Sequence, residues 1–270
     1  MIIDFHTHIF PEKVAAKAIP KLASIIQITP STNGTADGLK ASMENAGINL
    51  SVVLPVITDP SQFDSITRFA VQINESFQAQ TGPQLLSFGS VHPASGHYKE
   101  ELQLLKREGF RGIKVHPNYH GTYFDDISYM RLLYAASEQD LVVVAHTGYD
   151  PYTPNELFCS PDMIVRVLDE VCPTNLVLAH MGNNEGYEES MKKICGRNVY
   201  LDTSYSLMHM PESLFVDMVH IHGADRVIFA SDTPWTSQKD IVERLQSLTG
   251  LTSDEKEQIL SGNARKLLAL

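Results

Sequence analysis

The chain is expected to fold as a (β/α)8 barrel, and three features of its sequence say so. Eight short apolar, β-branched runs recur along it, helical signals lie between them, and their starts repeat roughly every 30 residues, the length of one βα unit. The runs cover residues 2–6, 50–55, 85–91, 112–116, 141–146, 175–180, 199–202 and 227–231. Their near-continuous apolarity, as in the Leu-Val-Val-Val of 141–144, is what parallel strands covered on both faces require.

The helices announce themselves by their ends. Thr35 is placed to cap a helix over 39–45 that Gly47 stops. Ser160 and Pro161 form an N-cap and first-turn proline, after which Ile164, Val167, Leu168 and Val171 make one apolar stripe. A further helix follows Pro211 and ends at Gly223, and Thr252 with Glu255 has capping-box spacing ahead of the closing helix. The longest irregular stretches, 9–34 and 147–160, follow strand ends, which places them over the barrel mouth where they can close on a substrate. An open doubly wound sheet is the alternative, but no Gly-rich phosphate fingerprint follows any strand. No linker divides the chain, so residues 1–270 read as a single barrel domain.

Composition removes several function classes. The 270 residues carry 21 Lys and Arg against 32 Asp and Glu, a formal net charge of −11 with no basic run, which argues against a nucleic-acid partner. A 43% hydrophobic and 20% charged content is that of a globular chain. No apolar stretch approaches the ~20 residues of a membrane span, and the amino terminus lacks the pattern of a secretory signal. A cytoplasmic protein with a small-molecule substrate is expected; the charge balance leaves assembly into a homo-oligomer open. Cys159, Cys172 and Cys195 are odd in number and form no C-x-x-C, so they read as buried thiols.

The histidines carry the functional signal. His6, His116, His146 and His180 end their expected strands, with His8 just beyond and His92 near the end of the third. A barrel brings all strand carboxyl ends to one mouth, so these side chains are expected to converge. His6 and His8 lie at i and i+2 on a strand, face the same way and can share one ion. His220 and His222 have the same spacing on an expected helix, where they diverge, and receive no metal role. His97, His120 and His209 read as ordinary side chains. Asp232 ends the eighth strand in FASDTPW, where an apolar run makes a carboxylate costly without a cation or donor, although it could also cap the next helix. Lys114, two residues before His116, should also face inward, as a cation for an anionic substrate, a carbamylated metal bridge, or a side chain threading to solvent.

These residues resemble the metal-dependent hydrolases of the amidohydrolase superfamily, in particular the amidohydrolase-related branch that also contains non-oxidative decarboxylases. IIDFHTH is similar to the family's first strand, FAVQINESF with Asn74 to its helix after strand 2, and GFRGIKVHP to its fourth strand. NVYLDTS, ASDTPW and GNARKLLAL resemble its seventh strand, eighth strand and terminal helix. The resemblance implies that His6, His8, His146 and Asp232 bind a divalent ion, usually zinc, and that His180 is a catalytic acid/base or positions the attacking water. Where relatives hold two ions, that histidine and a carbamylated strand-4 lysine, here near Lys114, bind the second; GIKVHP is more similar to the branch that uses one.

The leading expectation is metal-assisted hydrolysis of a small carbonyl- or carboxylate-bearing substrate. Asp232 or His180 would take the proton of a metal-bound water, and His180 would return it to the leaving group. Lys114, His116 and Arg68 are candidates to hold a substrate carboxylate. The alternative is a decarboxylase acting on an aromatic or unsaturated acid, which the same residues would serve. A non-catalytic sensor or scaffold with a structural ion is a third reading, weakened because a closed structural site needs neither His180 nor an inward Lys114.

Overall fold

A computed structural model describes residues 1–77 and 82–270. The parallel strands β1 (Ile3–Thr7), β2 (Leu50–Val53) and β3 (Gln84–Ser87) form one run, and β4 (Gly89–Ser90), β5 (Gly112–Val115), β6 (Val142–Ala145), β7 (Leu176–Leu178), β8 (Tyr200–Asp202) and β9 (Val227–Ile228) form another. Phe88 joins β3 to β4, so the two occupy one strand position and the ring has eight. Backbone bonds from Phe5 N to the Phe229 carbonyl (3.0 Å), Asp232 N to the His6 carbonyl (2.9 Å) and His8 N to the Thr233 carbonyl (2.7 Å) join the last position to the first. The expected barrel is the fold.

Alternate residues divide the strands between two cores. Phe5, Leu50, Val52, Leu86, Phe88, Val142, Val144, Val177 and Ile228 pack together inside the ring. Val53, Leu85, Ile113, Val115, Val143, Ala145, Leu176, Leu178, Leu201 and Val227 pack outward against the helices. This period-2 division, with apolar residues on both faces, explains why the runs read as continuous in sequence.

The helices form a surrounding layer. They are α1 (Glu12–Ile26), α2 (Ala36–Ala46), α3 (Phe63–Phe77), α4 (Tyr98–Arg107), α5 (Pro117–His120), α6 (Ile127–Glu138) and α7 (Pro161–Glu170), followed by α8 (Tyr187–Lys193), α9 (Ser206–His209), α10 (Glu212–His222), α11 (Gln238–Ser247), α12 (Ser253–Glu257) and α13 (Asn263–Leu268). Local chemistry sets their ends as expected. Thr35 accepts from Gly38 N and Gly47 closes α2 at φ 69°; Ser160 accepts from Met163 N at the head of α7; Thr252 and Glu255 form the reciprocal capping box of α12. No helix among the described residues is long and apolar enough to cross a membrane.

The stretch 9–34 departs from the irregular reading, because α1 occupies most of it. Pro20 inside the helix disguises it, since proline removes a backbone donor and crowds the preceding turn. Ala15, Ile19, Leu22 and Ile26 nonetheless follow a 4-3-4 spacing, one helical stripe. Leu22 and Ile26 reach the cavity at the barrel mouth, so the segment does lie over the site.

Candidate active site

The mouth is assembled by strand ends, and β1 needs a distortion to contribute. Ile3 and Phe5 face the barrel interior, so strict alternation would turn His6 outward. Three residues of β1 span the distance that two span on β2, because Asp4 pairs Ser51 while Thr7 pairs Val53. This bulge inserts one residue and re-aims His6 into the ring, with His8 following it at i+2. Asp4, facing outward, accepts from Ser231 N (2.9 Å) and Gln238 Nε2 (2.7 Å) and pins the distorted strand to the segment after β9 and to α11. Burial raises its carboxyl to about 6 despite those bonds.

His6, His8 and Asp232 converge. His6 Nε2 and His8 Nε2 are 3.1 Å apart, and Asp232 Oδ1 stands 3.5 Å from the first and 3.2 Å from the second. Their other ring nitrogens decide what this closeness means. His6 Nδ1 donates to Asp202 Oδ2 (2.9 Å) and His8 Nδ1 donates to the Leu54 carbonyl (2.8 Å), because neither partner can give a proton. Both Nε2 atoms therefore turn lone pairs toward each other and toward a carboxylate oxygen. Lys114 Nζ, 3.2 Å from His6 Nε2, reaches only one of the three. Such a donor set fits a divalent cation, which would satisfy all three at once. Burial, then the Lys114 charge, holds the His6 imidazole well below its usual range, in the neutral form that ligates. Burial acts to raise the Asp232 carboxyl and the surrounding His8, His6 and His180 act to lower it, leaving it below the usual carboxylate range.

His146 and His180 lie against this group. His180 Nδ1 donates to the Ser204 carbonyl (3.0 Å), so its Nε2 accepts from His146 Nδ1 (3.0 Å). That leaves His146 Nε2 buried with no hydrogen-bond partner, a free donor to a cation. It points toward a second cluster, His116, His146 and Asp150, and lies 3.7 Å from Asp150 Oδ2. Within the expected ligand set, then, His6, His8 and Asp232 meet closely, while His146 stands between two clusters. His180, Tyr205 and Asp232 hold φ between 56° and 69°, left-handed backbone that costs non-glycine residues about 1–3 kcal/mol each and is retained around this mouth.

Lys114 is fully enclosed, so it does not thread to solvent. Burial lowers its amine to about 8, against the pull of Asp202, Asp232 and Asp150. His116 lines the same cavity, with its ring stacked between Tyr119 and His146. Arg68 sits exposed on α3 and does not line it. His222 accepts from Gly196 N and donates to the Val199 carbonyl, a structural role far from the mouth. His120 bonds Ile57 and Tyr129, His209 stacks on Tyr205, and His97 precedes α4 without capping it.

Two acidic residues went unnoticed in the sequence. Asp202 is fully buried and accepts from His6 Nδ1 and from the His180 and Ser204 amides, so it orients two site histidines at once. Its signal was available: YLDTS places a carboxylate after an apolar run, as FASDTPW does. Asp150 lies in the loop after β6, where no periodicity could aim it. Burial raises its carboxyl to about 6. The cavity above these residues has a volume of ≈ 240 Å³, a polar floor of histidines and carboxylates, and walls that include Phe10, Leu22, Ile26, Tyr149, Tyr205 and Trp235.

Solved structures similar to this chain share its whole course. An uncharacterised TIM-barrel protein from Bordetella bronchiseptica aligns with a TM-score of 0.77 at 21% identity, over 99% of this chain and 98% of that one. A 5-carboxyvanillate decarboxylase from Sphingomonas paucimobilis aligns at 0.74 and 14% identity, over 100% and 99%. A dihydroxybenzoic acid decarboxylase from a Polaromonas species, with bound manganese and the inhibitor 2-nitroresorcinol, aligns at 0.72 and 18% identity, over 100% and 97%. No curated protein matches the chain. The family model for amidohydrolases matches residues 3–270, from the first barrel strand to the last residue of the chain, and on that match this barrel enzyme belongs to the amidohydrolase family.

Proposed function

We propose that the enzyme is a metal-dependent, non-oxidative decarboxylase of a small aromatic acid. The observation that carries this reading is the polarity of the cavity, whose floor gathers the donor set and Lys114 while its walls are apolar and aromatic. An anionic group belongs at the floor and a flat apolar body between the walls. A dry cavity of ~150 Å³ accepts benzene, so ≈ 240 Å³ leaves room for one substituted ring. The similarity to decarboxylases of dihydroxybenzoate and 5-carboxyvanillate supports the same choice over hydrolysis, the leading expectation from sequence.

His6, His8, His146 and Asp232 would hold one divalent ion. When bound, the ion supplies positive charge that orients the carboxylate and offsets developing negative charge on the substrate. Two or three imidazoles and a carboxylate suit both zinc and manganese, and manganese occupies the similar Polaromonas enzyme. Lys114, whose Nζ lies 3.2 Å from His6 Nε2, would pair with the carboxylate, and His116 lines the cavity beside the ring. In the reaction the bond to the carboxyl carbon breaks, CO2 leaves, and the electron pair left on the ring carbon takes a proton. Asp232 and His180 are the groups that move that proton, His180 sharing one with His146 through their 3.0 Å bond. Asp202 fixes the tautomer of His6 and the backbone of His180. A single barrel domain in the cytoplasm completes the reading.

The test is a panel of hydroxybenzoates given to protein loaded with manganese or zinc, in D2O and in H2¹⁸O. Decarboxylation releases CO2 and leaves one deuterium on the ring with no ¹⁸O. Incorporation of ¹⁸O into an organic product would establish hydrolysis instead.

A further inference from the structure

The second cluster at the mouth has its own chemistry. His116, His146 and Asp150 each place a donor atom within 4.8 Å of the others, and all three are buried. Ring geometry argues against a second ion there. An imidazole lone pair lies in its ring plane, so two imidazoles share an ion only where their planes intersect. His6 and His8 meet at 76°, whereas His116 and His146 stack at 9° with centroids 4.1 Å apart. Near-parallel planes at stacking distance cannot both contain one cation.

Asp150 is nevertheless left wanting a donor. Its Oδ1 accepts from Tyr152 N at 2.7 Å. Its Oδ2 faces His116 Nε2 at 3.5 Å and His146 Nε2 at 3.7 Å, both beyond hydrogen-bond length. No lysine or arginine pairs with it among the described residues. The His146 Nε2 facing it is a lone pair, as its bond to His180 requires. His116 Nδ1 has no hydrogen-bond partner, so the carboxylate facing its Nε2 favours the tautomer with the proton there. A buried carboxylate oxygen lining the cavity with that N–H beside it has the donor and acceptor pattern that a hydroxyl group completes.

Resting on the decarboxylase reading, we propose that His116 and Asp150 form a subsite for a hydroxyl on the substrate ring, at a position separate from its carboxylate. The hydroxyl donates to Asp150 Oδ2 and accepts from His116 Nε2–H. Asp150 repels a second carboxylate at this position, so the pair selects among ring-substitution patterns of the proposed substrate.

Calorimetric binding to the metal-loaded protein tests this without requiring turnover. The ligands are 2-hydroxybenzoate and the 2,3-, 2,4-, 2,5- and 2,6-dihydroxybenzoates. One dihydroxy isomer is expected to bind about 10- to 100-fold more tightly than 2-hydroxybenzoate. In Asp150→Ala that ratio should fall to within about threefold of one; Asp150→Asn, which keeps an acceptor, should retain part of it. His116→Phe, which keeps the stacked ring but not the N–H, should also reduce it. No isomer preference in the wild type, or a preference unchanged in Asp150→Ala, overturns the subsite. Loss of a second equivalent of metal in Asp150→Ala overturns it in favour of an ion. A preference of the expected kind in a protein that releases no CO2 sustains the subsite and overturns the decarboxylase reading alone.

Discussion

The mouth of this barrel holds two three-residue clusters of the same composition, two histidines and an aspartate, and only one has the geometry of a metal site. His6, His8 and Asp232 offer intersecting ring planes and both outer nitrogens tied to acceptors. His116, His146 and Asp150 offer stacked rings and an undersupplied carboxylate. Proximity of ligand types is therefore a weak criterion, and the direction of lone pairs is the stronger one. The contrast arises in the strands: a bulge in β1 turns His6 inward, whereas β5 and β6 pair in regular register and present His116 and His146 side by side.

Breaking the two clusters should give opposite results. Asp232→Asn or His8→Ala is expected to reduce bound metal from about one equivalent to under about a tenth and to lower turnover by about 10³-fold or more. His116→Phe should leave the metal content unchanged. Metal analysis by mass spectrometry on dialysed protein checks both, and equal loss from both variants would erase the distinction.

A histidine outside both clusters calibrates the cost of burial. Burial lowers His222 to about 4, so the unfolded chain binds a proton between pH 6.5 and about 4 that the folded chain does not. Stability from this group is complete above pH 6.5 and is lost as pH falls through that window, by about 3 kcal/mol. Urea titrations at pH 7 and pH 4.5 check it, with His222→Gln expected to flatten the dependence. At the site, Asp202→Asn leaves all ligands in place but removes the charged acceptor that fixes His6. It should weaken metal affinity about 10- to 100-fold, read by competition with a chelator.

How far the sequence went follows from where each constraint resides. Caps and stops are local, so Thr35, Gly47, Ser160 and Thr252 were legible from neighbouring residues. Strand positions were legible because both faces are apolar, and the strand-end histidines followed from barrel topology. The bulge in β1 was not, since it depends on pairing with β2 and leaves no mark in IIDFHTH. The helix α1 was hidden by Pro20, although its stripe at Ala15, Ile19, Leu22 and Ile26 was present. Asp202 carried the same signature as Asp232 and went unread. The angle between imidazole planes, which separates the two clusters, has no one-dimensional trace.

The smallest expected effect belongs to His220, and it sharpens the comparison by removing geometry altogether. His220 and His222 repeat the i, i+2 spacing of His6 and His8, but α10 sends them apart. His220 lies half-exposed and 3.6 Å from Glu255 on α12, an ion-pair length at which solvent screening leaves little net attraction. His220→Ala should therefore change neither metal content nor isomer preference, and should shift stability by less than about 0.5 kcal/mol, read as a change in urea midpoint. The same spacing yields a converging pair with the geometry of a metal site on a bulged strand and two unrelated side chains on a helix. Any loss of metal in His220→Ala would mean that ions bind this protein by histidine abundance rather than by converging lone pairs.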